Sequence, residues 1–151
     1  MASSKIGFTG TQVGMTVAQV VSLMKHLRLL EGEFHHGDCV GADEQASEAA
    51  SGFGLKTVSH PPDNPSKRAF SENDETKEEK PYLKRNHDIV DTTDYLIATP
   101  RGTAEEVRSG TWATVRYALK QEKLVVIIWP DGSVEEWRHD DEYLGRGIYK
   151  E

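Results

Sequence analysis

A short run of the sequence, Arg-Ser-Gly-Thr at positions 108–111, combines residue types that bind anions at the start of a helix. Ser109 is a favoured N-cap residue, Gly110 lets the backbone approach a ligand closely, and Thr111 adds a hydroxyl to the first helical turn. Free N–H groups and the positive end of the helix dipole lie at such a point. We therefore predict a phosphate site at Ser109, Gly110 and Thr111, with an ordinary helix cap as the alternative.

Two turns earlier in the chain are the next candidates for contact with a ligand. The first, Thr9-Gly10, follows an apolar strand and is equally compatible with a simple turn. The second precedes an alanine-rich helix, and we expect four of its residues to face a ligand: Gly37, Asp38, Gly41 and Asp43. Its two aspartates are suited either to ribose hydroxyls or to capping the helix.

Four other polar residues are candidates for binding an anionic ligand. Arg85 carries a guanidinium that suits bidentate contact with phosphate, although a carboxylate on the surface is the alternative partner. Its neighbour Asn86 either contacts the ligand or stabilises a loop. Arg108 either clamps an anion or points to water. His60 is the best placed of the six histidines, because it ends a predicted strand directly before two prolines.

Glu105 and Glu106 are carboxylates in the loop just before the Ser-Gly-Thr turn. A carboxylate next to a sugar can stabilise an oxocarbenium-like transition state or activate water, so we name both, with Arg85, as the candidate catalytic residues. The alternative is that both are solvated loop charges. No repeated metal-ligand spacing occurs among the histidines, and we predict neither a metal site nor a cofactor.

The elements that must position these residues alternate along the chain. Five apolar segments predict strands, at 5–8, 33–36, 56–60, 95–98 and 124–129. Helices are predicted between them, from 16, from 42 to 51, from 82 to 90 and from 109. This order predicts an α/β fold, a Rossmann-like three-layer sandwich with a mainly parallel sheet of five or slightly more strands. Ligands of such sheets bind at the carboxyl ends of the strands, where the loops named above converge.

The first helix has a capping-box pattern, with Thr16 before it and Gln19 three residues later. Its apolar residues share one face at helical spacing: Val17, Val20, Val21, Met24 and Leu27. Residues 61–81 hold four prolines and a charged run, and we predict a lid or mobile insertion there, with a solvated disordered loop at 71–80 as the alternative. We predict one domain over residues 1–151, with a C-terminal extension at 133–151 that begins with a short edge strand.

Composition narrows the class of protein. The chain has 151 residues, 36% hydrophobic and 28% charged, and a formal net charge of −7. An acidic chain repels phosphate backbones, so nucleic acid is a disfavoured partner. Cys39 is the only cysteine, which fits a reducing compartment, and the first residues lack the apolar core of a signal peptide. We expect a cytoplasmic protein without a membrane-spanning segment.

Four motifs in this order resemble the SLOG superfamily, a Rossmann-like group that contains the bacterial DNA-processing protein A and the LOG phosphoribohydrolases. The motifs are Thr9-Gly10-Thr11, Gly37-Asp38-Cys39-Val40-Gly41-Ala42-Asp43, Arg85-Asn86 and Ser109-Gly110-Thr111. The resemblance runs from residue 5 to residue 130 and is closest to small stand-alone members. It implies that the glycine turns bind nucleotides or nucleotide-like molecules and that the chain forms a homo-oligomer, such as a dimer.

LOG enzymes hydrolyse the N-glycosidic bond of a nucleoside 5′-monophosphate with an arginine and a glutamate. Arg85 matches the arginine, but Thr114 stands where the family has the glutamate. We therefore predict a sensor or binding module for a nucleotide-derived ligand. The alternative is a LOG-like hydrolase in which Glu105 or Glu106 replaces the missing carboxylate. Single-stranded DNA binding is a third function, which the net charge disfavours.

Overall fold

A computed structural model describes residues 3–139 of the chain. Its strands are β1 (Ser4–Gly10), β2 (Gly32–His36), β3 (Lys56–Ser59), β4 (Glu75–Thr76), β5 (Tyr95–Thr99), β6 (Leu124–Ile128) and β7 (Val134–Trp137). Its helices are α1 (Val17–Leu27), α2 (Ala42–Gly52), α3 (Tyr82–Asp91) and α4 (Gly110–Lys120). The predicted α/β class is confirmed, and the sheet has seven strands within residues 3–139, where five or slightly more were predicted.

The strand order is β4-β3-β2-β1-β5-β6-β7, and among these described strands only β6 and β7 pair antiparallel. The chain builds outward from β1 to β4 on one side and then returns to the other side of β1 with β5. Because the connections on the two sides run in opposite directions, a crevice opens at the carboxyl ends of β1 and β5. This is the position at which open α/β sheets bind their ligands.

Two apolar layers cover the two faces of the sheet. Leu96 and Ala98 of β5 pack toward α3 and α4, whereas Ile97 between them packs toward α1 and α2. In β6, Val125 and Ile127 alternate in the same way with Val126 and Ile128. Because successive side chains of a strand point to opposite faces, the continuously apolar strands serve both cores. The predicted three-layer sandwich is therefore present.

Helix α1 begins at the predicted residue but buries a different face. Gln19 N–H donates to Thr16 Oγ1 at 3.0 Å and Thr16 N–H donates to Gln19 Oε1 at 3.0 Å, so the capping box is formed. Leu23 and Leu27 are buried together with Gln19, while Val17 is 81% exposed. Val21 and Met24 are exposed as well. The predicted apolar face was therefore wrong, apart from Leu27 and the half-buried Val20.

The buried position of Gln19 explains this error. Its side-chain Nε2 donates to the carbonyl oxygens of Pro100 at 2.8 Å and Ile128 at 2.9 Å. A fully hydrogen-bonded amide can enter the interior at little cost. A prediction from hydrophobic periodicity counts glutamine as a polar residue. It therefore placed Gln19 on the solvent side and assigned the wrong face of the helix to the sheet.

Residues 61–81 are hydrogen-bonded to the sheet and to the turn after β2. Lys77 N–H donates to the carbonyl of Ser59 at 2.8 Å, and Ala69 N–H donates to the carbonyl of Asp38 at 2.8 Å. The segment contains a single 3₁₀ turn at Pro65–Lys67 and the edge strand β4. Two residues are too few to form a recognisable pattern, so β4 was not predicted.

Strand β7 forms the predicted short edge strand, and the rest of the predicted C-terminal extension, 140–151, lies outside the described residues. No helix within residues 3–139 is long and apolar enough to cross a membrane.

Two truncations test the orientation of α1. We expect Leu23→Ala to lower the free energy of unfolding by about 2–5 kcal/mol, because it leaves a cavity in the core. Val17→Ala should change it by less than about 0.5 kcal/mol, because the valine is in solvent. Urea denaturation measures both values. A larger loss for Val17→Ala than for Leu23→Ala would mean that the helix faces the other way.

Candidate functional site

A cavity of about 370 Å³ occupies the crevice at the switch point. It lies between the end of β1, the turn after β2, the first turns of α3 and the loop that leads into α4. Most of the predicted site residues line it: Thr9, Gly10, Gly37, Asp43, Arg85, Asn86, Glu106, Arg108, Ser109, Gly110 and Thr111. Residues from all four sequence motifs therefore meet around one cavity.

The start of α4 presents backbone donors to this cavity. Ser109 is the N-cap, and its Oγ accepts the N–H of Trp112 at 3.3 Å. The N–H groups of Gly110 and Thr111 have no acceptor among residues 3–139. These two donors, with the positive end of the helix dipole, form a suitable place for an anion.

Arg85 supplies the positive charge at the floor of the cavity. Its side chain is 3% exposed, and its Nη1 donates to the carbonyl oxygens of Gly37 and of His60, the latter at 3.2 Å. Its Nη2 lies 3.5 Å from Cys39 Sγ, and its Nε is buried without a partner in the described part of the chain. No carboxylate there lies within ion-pair distance of it, so the surface ion pair considered as an alternative is not formed.

Asp43 lies close to Arg85 without pairing with it. Its Oδ2 accepts the N–H of Cys39 at 3.1 Å, which fixes the turn between β2 and α2. Burial raises the pKa of the Asp43 carboxyl, and the charges of His36 and Arg85 partly oppose this rise. Burial also raises the pKa of the Cys39 thiol, so the thiol next to Arg85 is neutral at pH 7.

Gly110 makes room for a protein side chain. The Tyr82 hydroxyl packs directly on Gly110, and a Cβ at position 110 would overlap it. Burial raises the pKa of the Tyr82 hydroxyl, and Asn86 and Arg85 partly oppose this rise. Gly110 is predicted to allow close approach of a ligand; in the structure it lines the cavity and also admits Tyr82.

An ion pair stands at the rim of the cavity. Arg101 Nη2 donates to Glu106 Oε1 at 2.7 Å, and Arg101 Nε lies 3.2 Å from Glu106 Oε2. The hydrogen bond from Arg101 holds the pKa of Glu106 below its usual range. Glu106 is therefore ionised at neutral pH and does not act as a proton donor there. Glu105 does not line the cavity, and its Oε2 lies 3.9 Å from Arg116 Nη1.

Two further predicted residues of the second turn are also outside the cavity lining. Asp38 has a positive φ of 51°, and its carboxylate accepts from Ser71 N–H at 3.1 Å and Arg68 Nε at 3.3 Å. It therefore holds the loop of residues 68–71. Gly41 has a φ of 95°, and a Cβ there would overlap the carbonyl of Gln12. It allows the loop after β1 to pack on the start of α2.

His60 belongs to a separate hydrogen-bonded chain. Its Nε2 lies 2.8 Å from His35 Nδ1, and His35 Nε2 lies 2.8 Å from Glu33 Oε1. Burial, with a smaller contribution from His35, lowers the pKa of His60 to about 3. His60 lines a second cavity of about 430 Å³ on the other side of Arg85, together with Lys77, Lys80 and Asp88.

Several lining residues were not among the predicted site residues: Phe8, Thr11, Gln12, Val13, Cys39, Tyr82, Ile89 and Arg101. Thr11 and Cys39 stand inside recognised motifs, so motif membership would have found them. Tyr82 and Arg101 carry no local pattern that separates them from surface residues. Within residues 3–139, no cluster of three or more histidine, cysteine, aspartate or glutamate side chains is arranged to hold a metal ion.

Comparisons with known proteins support the fold. No protein-family model matches the chain, and no curated protein matches its sequence. Among solved structures, the molybdenum cofactor binding protein from the phototrophic bacterium Rippkaea orientalis is 24% identical with a TM-score of 0.65, over 85% of this chain and 78% of that one. The Moco carrier protein from Chlamydomonas reinhardtii is 22% identical with a TM-score of 0.61, over 83% and 76% of the two chains.

The contact between Tyr82 and Gly110 can be tested by a double-mutant cycle. Gly110→Ala should lower the free energy of unfolding by about 1–3 kcal/mol, because the new methyl group displaces Tyr82. In a Tyr82→Ala background the same substitution should be close to neutral. Urea denaturation of the four proteins measures the coupling. Additive effects would show that the phenol does not occupy this space.

Acidification should destabilise the fold through His60. Between the ordinary pKa of 6.5 and the folded value of about 3, the unfolded chain binds a proton that the folded chain excludes, so stability falls as pH falls through this window. At pH 4.5 the loss from this group is about 2–3 kcal/mol. Urea denaturation at pH 7 and 4.5 should show a smaller loss in His60→Asn than in the wild type. Equal losses would contradict the assignment.

Proposed function

We propose that this chain is a binding module for a nucleotide or nucleotide-derived ligand, which it holds through a phosphate group. The observation that carries the proposal is the buried Arg85 guanidinium, which has no carboxylate partner within residues 3–139. Burying a charge without a partner costs several kcal/mol. A phosphate would supply the partner and would also accept from the N–H groups of Gly110 and Thr111 in the same cavity.

The remaining polar groups suit the rest of such a ligand. Arg108 and Thr111 stand beside the helix start and offer further donors. Asp43 and the carbonyl groups of the turns offer acceptors, which would recognise sugar hydroxyls. Residues from the four SLOG-like motifs line this one cavity, and on that basis we also propose that the chain is a SLOG-superfamily member.

Two observations favour binding over hydrolysis. Thr114, at the position of the LOG glutamate, donates its hydroxyl to the carbonyl of Gly110 at 2.9 Å inside α4. It therefore offers no carboxylate for attack on a glycosidic carbon. Two of the structural neighbours are named for binding or carrying a cofactor, which supports a protein that holds its ligand intact.

One observation keeps a LOG-like hydrolase as the second candidate. Glu106 is ionised and lines the cavity, so its carboxylate can stabilise a positively charged sugar transition state once it has left Arg101. Because its proton is already lost at neutral pH, the general acid of such a reaction would have to be another group. Glu105, the other candidate carboxylate, does not line the cavity.

A ligand screen tests the proposal directly. The purified protein is heated with nucleoside mono-, di- and triphosphates, ADP-ribose and cyclic nucleotides, and each hit is recovered by chromatography. We expect at least one nucleotide to raise the melting temperature and to be recovered intact. Recovery of base and sugar phosphate would establish the hydrolase instead, and no shift with any of these compounds would overturn the proposal.

Two substitutions place the hit in the cavity. We expect Arg85→Gln to abolish binding and Arg108→Gln to weaken it about three- to tenfold, because an exposed arginine contributes less than a buried one. Calorimetric titration gives the affinities. Arg28→Gln removes the same charge at the end of α1, outside the cavity, and should bind as the wild type does. Unchanged binding in Arg108→Gln and Arg85→Gln would place the ligand elsewhere.

A further inference from the structure

We propose that Arg101 binds a second anionic group of the ligand and that Glu106 occupies Arg101 until the ligand displaces it. This inference rests on the proposed function and makes it more specific. The ligand would carry two anionic groups, as a diphosphate does. The inner group would lie at Arg85 and the start of α4, and the outer group would lie at the rim beside Arg101.

The two proposed anion positions differ in depth. Arg85 as a whole residue is 3% exposed, whereas the side chain of Arg101 is 61% exposed, and both residues line the same cavity. A single phosphate at the floor of the cavity would not reach the Arg101 guanidinium, which would stay paired with Glu106. A ligand with a second phosphate extends outward from the floor and reaches this guanidinium.

The Arg101–Glu106 pair has the geometry of a substitute ligand. Two nitrogens of the guanidinium, Nε and Nη2, contact the Glu106 carboxylate. Phosphate and carboxylate accept from an arginine fork in the same bidentate way, so an incoming phosphate can take the place of Glu106. The carboxylate and a ligand phosphate cannot both occupy the fork.

The pair is also easy to exchange. Both residues lie in the loop between β5 and α4, five positions apart, and the Glu106 side chain is 34% exposed. An exposed ion pair contributes about 0–1 kcal/mol to stability, so the fold loses little when it opens. While it is closed, the negative charge of Glu106 repels a second phosphate at the rim. Glu106 is therefore expected to weaken the binding of diphosphates, whereas a residue that contacts the ligand directly would strengthen it.

Calorimetric titration with inorganic phosphate and inorganic pyrophosphate tests this inference on the wild type, Glu106→Gln, Arg101→Gln and the double variant. We expect Glu106→Gln to bind pyrophosphate about three- to tenfold more tightly, while phosphate affinity changes by less than about twofold. Arg101→Gln should weaken pyrophosphate binding. In the Arg101→Gln background, Glu106→Gln should bring no gain, because its effect is exerted through Arg101.

The cycle separates this inference from its alternatives. Equal gains for phosphate and pyrophosphate, or a gain that persists without Arg101, would show that Glu106 acts only as a general negative charge and would overturn the inference. Weaker pyrophosphate binding in Glu106→Gln would also overturn it. If the wild type binds both anions but one of these contradicting results is found, the inference about Arg101 and Glu106 fails while the proposed phosphate cavity still stands. If no protein in the set binds either anion, the proposed function and this inference both fail.

Discussion

The buried guanidinium of Arg85 is the constraint on which the carboxyl edge of the sheet depends. It reaches from α3 to the carbonyl oxygens of Gly37 and His60, and so it joins the chain after β2 to the chain after β3. Two neutral acceptors bind the guanidinium without cancelling its charge. The surrounding turns are consequently shaped around a buried guanidinium that has no carboxylate within ion-pair distance among residues 3–139, and the proposed anion site rests on this property.

Several other features follow from the position of this side chain. A Cβ at position 37 would overlap the Arg85 guanidinium, so this turn requires glycine to leave room for that side chain. The Cys39 thiol lies against the same guanidinium. Burial raises the pKa of the Asp43 carboxyl, and the nearby charge of Arg85 partly opposes this rise. The first cavity and the second cavity lie on either side of this one side chain.

The features that the sequence predicted correctly depend on residues close together in the chain. The capping box at Thr16 and the N-cap at Ser109 are set within one helical turn, and the apolar runs of β5 and β6 are strands at the predicted places. The buried face of α1 was not predictable in this way, because Gln19 finds its partners at Pro100 and Ile128, far along the chain. Arg101 and Tyr82 were missed for the same reason, since only the folded chain brings them to the cavity.

The contact between Tyr82 and Gly110 has a consequence for how this chain can change during evolution. A side chain can appear at position 110 only after the residue at 82 has become smaller, and the same order holds for positions 37 and 85. The two members of each pair are far apart in sequence but in contact in the fold. A homologue with a side chain at position 110 or 37 should therefore have a smaller residue at position 82 or 85, whereas a smaller residue at 82 or 85 leaves the glycine free to stay or to change.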